Sequence, residues 1–155
     1  MSTRRLIAVA IVLLTAGGLG IQTEAQKSHD SSRKAEVRRV LDAQVTAWNR
    51  GDIDGFMAGY ADSPETTFVS GDRVTRGWRT VLDHYKQSYD SKDKMGVLSF
   101  SDLDIALLDA NTAIVDGHWK LTRGGDMPHG RFTLVLRRLK TGWRIVHDHT
   151  TSLTS

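Results

Sequence analysis

The run Gly142-Trp143-Arg144-Ile145-Val146-His147-Asp148-His149-Thr150-Thr151 decides how this chain is read. Apolar and polar residues alternate in it, and β-branched and aromatic types dominate, which is the pattern of a half-buried strand. Strict alternation places Trp143, Ile145, His147 and His149 on one face, read as the inner one. Arg144, Val146, Asp148 and Thr150 then share the other. A Lys140-Thr141-Gly142 turn precedes the run. Before it, residues 129–138 alternate again, with Phe132, Leu134 and Leu136 on one face. A Gly124-Gly125-Asp126 loop separates these from residues 112–122, where Ala113, Val115, Gly117, Trp119 and Leu121 share a face. Residues 96–108 form one more strand. Its alternation slips between Phe100 and Leu103, the signature of a bulge. Short turns join all four strands, so they pair antiparallel in sequence order.

Upstream the period changes. In residues 33–50 the apolar positions Val37, Val40, Leu41, Val45 and Trp48 follow helical spacing, interrupted only by Gln44. Gly51 stops this helix and Asp52 caps a short second one carrying Ile53, Phe56, Met57 and Tyr60 on one side. Residues 66–70 and 73–76 make a hairpin around Gly71-Asp72. Gly77 opens a third helix with Trp78, Val81, Leu82, Tyr85 and Tyr89 on one stripe, and residues 91–94 make a charged turn. Helices gathered before an antiparallel meander give an α+β fold with the helices on one sheet face.

The segments Ala47-Trp48-Asn49-Arg50-Gly51-Asp52, Gly77, Gly117-His118-Trp119 and the 142–151 run together resemble the nuclear transport factor 2-like superfamily, in its SnoaL-like and ketosteroid isomerase-like branch of small members. The superfamily also holds scytalone dehydratase and the association domain of calmodulin-dependent kinase. The resemblance covers residues 33–152. It implies a cone-shaped barrel: a strongly bent, mostly antiparallel sheet wrapped around three N-terminal helices. It also implies a conical pocket and a homodimer through the outer sheet face. Ketosteroid isomerase carries a carboxylate base near the end of its first strand and a second acid on the penultimate long strand. Here those regions read Phe68-Val69 and Arg131-Phe132-Thr133-Leu134, so that mechanism does not carry over.

The N-terminus has a targeting layout. Met1 to Arg5 is short and positive, residues 6–20 are apolar, and Thr23 and Ala25 stand at −3 and −1 of a cut before Gln26. This reads as a signal peptide over 1–25, a flexible leader over 26–32 and one domain over 33–152, with a periplasmic or secreted product and no membrane association after cleavage. An uncleaved anchor is the alternative, although the apolar run is short for a span of about 20 residues. The whole chain of 155 residues carries 21 basic and 18 acidic side chains. Cleavage removes Arg4, Arg5 and Glu24 and leaves a net charge of +2. With no basic stripe, nucleic-acid binding is not expected. The absence of cysteine excludes disulfides and thiolate chemistry.

For chemistry, His147 and His149 are the leading candidates. Two imidazoles on one cavity wall serve as acid and base near neutral pH, bind a metal, or simply satisfy a polar core. A metal needs a third ligand that the sequence does not offer, so neither metal nor cofactor is expected. Gln44, Trp48, Tyr60, Phe68, Trp78, Tyr85, Trp119 and Phe132 are the candidate pocket lining. The functional expectation is a small-molecule-binding protein. The alternatives are a lyase or isomerase using His147 or His149, and a non-catalytic association module.

Overall fold

The computed structural model describes residues 18–153, with side chains from residue 23 onward. Of the expected signal peptide, residues 1–17 lie outside the described residues. The first helix, α1 (Gly18–Asn49), is longer than its apolar spacing indicates. It runs back through residues 26–32, which were expected to be a flexible leader and are instead helical. The extension is a polar helix held by local contacts. Asp30 accepts from Gln26 Nε2 at 2.9 Å and from Arg33 at 3.0 Å, pairs of the i,i+3 and i,i+4 type that support an exposed helix. No side chain between residues 23 and 36 is buried. Among the described residues, no helix is long and apolar enough to cross a membrane.

The Trp48-to-Asp52 motif is a docking device. Trp48 Nε1 donates to the Met95 carbonyl at 3.1 Å. The Asn49 amide donates to the Leu98 carbonyl and accepts from its N–H, at 3.0 and 2.7 Å. Gly51 turns the chain at φ 87°, a left-handed value that suits glycine. Asp52 then caps α2 (Ile53–Met57) by accepting from the Gly55 N–H at 2.7 Å.

The strands β1 (Thr67–Ser70) and β2 (Arg73–Arg76) form the expected hairpin, and α3 (Trp78–Ser88) follows Gly77. The charged turn expected at 91–94 closes into a single helical turn, α4 (Lys92–Met95), because the Ser91 side chain caps it. Then come β3 (Val97–Leu107), β4 (Thr112–Thr122), β5 (His129–Leu139) and β6 (Gly142–Thr150). The six strands make one curved, unclosed sheet in the order β2-β1-β6-β5-β4-β3. All pairs are antiparallel except β1 with β6, which brings the early hairpin alongside the last strand. The helices cover its inner face, where Ala113, Val115, Leu134, Leu136 and Ile145 are buried against Val37, Leu41 and Leu82.

Two bulges interrupt the ladders. The slip foreseen in β3 lies between Ser101 and Asp104, with Asp102 at φ 50°. The second was not foreseen. On β6, Ile145 pairs with Leu136 and His147 pairs with Val135, so Val146 is an extra residue with no opposite number. Beyond it the alternation is reversed. His149 is exposed, His147 is half-buried, and Asp148 is buried.

Candidate functional site

A cavity of about 180 Å³ lies between the helices and the inner sheet face. For scale, an engineered apolar cavity of about 150 Å³ binds benzene. Gln44, Trp48, Tyr60, Phe68, Tyr85, Trp119 and Phe132 all stand in its wall. Trp78 does not. As the first residue of α3 it faces back along the chain, where its indole N–H donates to the Met57 carbonyl at 2.9 Å and fastens α3 to α2. Phe56, Tyr89 and Phe100 complete the aromatic lining. All four phenylalanines, all three tyrosines and two of the four tryptophans of the chain thus border this one space. Tyr85 is the hub. Its ring lies 5.3 Å from Phe56, 5.8 Å from Phe68, 6.0 Å from Trp48 and 5.9 Å from Tyr89, between centroids.

Close packing shapes the wall. Gly117 leaves room for Phe132 and Leu103, whose ring and methyl carbons would lie 2.6 Å from any Cβ added there. Gly59 does the same for the Gln44 side chain, at 2.9 Å. Gln44 is buried and donates to the Phe56 carbonyl at 3.2 Å, so its amide is partly used in joining α1 to α2.

His147 and His149 are absent from the lining. They lie on the face opposite the cavity, because the Val146 bulge reverses the alternation on which their inward placement rested. The same reversal turns Asp148 inward, where strict alternation had placed it outside. Asp148 is 6% exposed and its strand neighbours are Phe68 on β1 and Leu134 on β5. Oδ2 accepts from the Tyr60 hydroxyl at 2.7 Å, while Oδ1 is buried with no partner. Burial raises the carboxyl to about 7, opposed by the Tyr60 hydrogen bond. Burial, reinforced by the charge of Asp148, also holds the Tyr60 and Tyr85 phenols well above their usual range. Both phenols therefore stay protonated at physiological pH, and Tyr60 donates to Asp148. His84 of α3 also lines the cavity, as do Ser70, Thr150 and the exposed Ser152.

Sequence reasoning missed Asp148 although it named both neighbours. The signal that would have found it is the rhythm Trp143, Ile145, Asp148: a gap of three where a regular strand repeats at two. Among the described residues no group of three His, Asp or Glu side chains is placed to hold a metal ion.

The comparisons agree with this architecture. The family described as SnoaL-like domain matches residues 37–154. A nuclear transport factor 2-like protein of unknown function from Shewanella oneidensis is 34% identical, with a TM-score of 0.74 over 76% of this chain and 98% of its own. A domain of unknown function with a cystatin-like fold from Nostoc punctiforme has a TM-score of 0.66 at 18% identity, over 77% of this chain and 76% of its own. A ketosteroid isomerase-like protein from Erwinia carotovora has 0.62, also at 18%, over 78% and 96%. These last two speak for the fold alone. No curated protein matches. With a family match across most of its length and a relative more than 30% identical over nearly all of that relative, this chain belongs to the SnoaL-like family of the nuclear transport factor 2-like superfamily.

Proposed function

We propose that this is an exported protein, periplasmic or secreted, whose cavity binds one compact, partly apolar molecule with Asp148 as its polar anchor. One observation carries the reading: a buried carboxyl with an unpartnered oxygen, set in the wall of an aromatic cavity. Buried polar atoms are nearly always paired, and an orphan asks for a partner. A ligand hydrogen-bond donor supplies it, and the rings supply contact area.

Native mass spectrometry of the protein purified from its own host tests this. The expected result is a retained small adduct that disappears in Asp148→Asn. An adduct that survives the substitution would remove Asp148 from its role. The same spectra report the N-terminus, for which the layout of residues 1–25 supports a cut before Gln26. They also report whether the protein is a homodimer, for which half-buried Ile114 and Val135, alternating with the buried inner-face residues of β4 and β5, are the support.

A second reading follows from the ionisation of Asp148. A carboxyl titrating near 7 beside a phenol donor is placed to take and return a proton, as an isomerase or lyase requires. This replaces the reading built on His147 and His149, which lie outside the cavity. Turnover that vanishes in Asp148→Asn and persists in His147→Ala favours it.

A further inference from the structure

We propose that the molecule taken into this cavity is a small organic ammonium ion about one ring in size, with Asp148 as its counter-ion and the aromatic wall around its carbon skeleton. The inference rests on the binding reading above and adds the sign of the ligand's charge.

The composition of the wall points to it. Aromatic faces carry a negative quadrupole and attract cations, and cages of such rings are a known way to hold ammonium groups. Here Trp48, Phe56, Phe68 and Tyr89 surround Tyr85. Among the described residues no lysine or arginine borders the space, so no permanently charged protein cation neutralises Asp148 there. An ionised carboxylate in that setting is strongly disfavoured, and an entering cation relieves the penalty. A carboxylate also has about four acceptor sites. Tyr60 fills one and Oδ1 is unpartnered, so an ammonium N–H has somewhere to donate. An anionic ligand would meet like charge.

The groups around Asp148 are accounted for. Tyr60, just after α2, and Tyr85 on α3 are phenols that remain neutral. Phe68 on β1 and Leu134 on β5 are apolar. His84 and Tyr89 border the same space from α3 and its C-cap. His147 and His149 lie across the sheet.

Benzylamine and benzyl alcohol, close in shape and different in charge, are the probes. Titration calorimetry with the purified protein at pH 8 and pH 6 is the measurement. Benzylammonium is expected to bind at least tenfold more tightly than the alcohol at pH 8. It should weaken about tenfold at pH 6, as a carboxyl titrating near 7 takes up its proton. The alcohol should show no such pH dependence. Asp148→Asn, verified as folded by circular dichroism, should erase the ammonium preference and keep alcohol binding. If the alcohol binds as well as the ammonium at pH 8, or benzoate binds better than both, the ammonium assignment falls and the pocket reading stands. If none binds at millimolar concentration, both fall.

Discussion

Asp148 sets a buried carboxyl group in the wall of the cavity. Its folded-state value of about 7 lies above the usual 3.8. Between those values the folded chain holds a proton that the unfolded chain has released. Stability therefore falls as pH rises through that window and levels off above it, a loss of about 4 kcal/mol. Asp148→Asn keeps an acceptor for Tyr60 and has no proton to lose. Urea unfolding at pH 5 and pH 8, an interval that covers part of this window, should show the wild type losing about 2–3 kcal/mol more than the variant. Equal losses would mean that the carboxyl is better solvated than its surroundings indicate. At this scale the sequence was half legible. Seven of the eight aromatic and amide candidates were brought to one cavity because helical and strand periodicities are robust for large side chains. The titratable residue was misplaced because its side depends on backbone phase, which residue type does not report.

At the scale of elements, the fold is held where helix ends meet strand ends. The Asn49 amide makes two hydrogen bonds with the backbone of Leu98 and fixes the start of β3 against the C-terminus of α1. Asn49→Ala strands that N–H and carbonyl, at a cost of about 1–3 kcal/mol. Thermal melting should fall by several degrees, and Asn49→Asp, which keeps one acceptor, should recover part of the loss. A melting point unchanged by Asn49→Ala would show that the contact is replaced by water. The Asn-Arg-Gly-Asp sequence announced a helix stop, and the two glycine-led turns announced their elements. What no local pattern announced was the pairing of β1 with β6, a parallel contact between segments about 80 residues apart.

For the whole molecule, burial among the residues whose side chains are described begins at Val37. The turns of α1 between residues 23 and 36 are polar and add length and little core. Removing residues 1–31 should leave the melting point within about 2 °C and the secondary structure of the remainder intact, as circular dichroism would show. A large fall would mean that the extension packs on something other than its own domain. The α+β class and the helices on one sheet face were legible because each rests on a change of hydrophobic period along the chain, whereas the bend of the sheet was implied only by the family resemblance. The helical state of residues 26–32 was not, because a polar segment carries no period to read.

The Val146 bulge has a consequence beyond this chain. Read as a regular strand, the same letters at 147–149 would offer the cavity two bases able to become cations; with one unpaired residue they offer an acid. On the proposed ammonium reading, whether the pocket attracts or repels a charged guest turns on the count of backbone positions. On that reading, two proteins aligned without a gap through His-Asp-His, one bulged and one regular, are expected to select guests of opposite polarity.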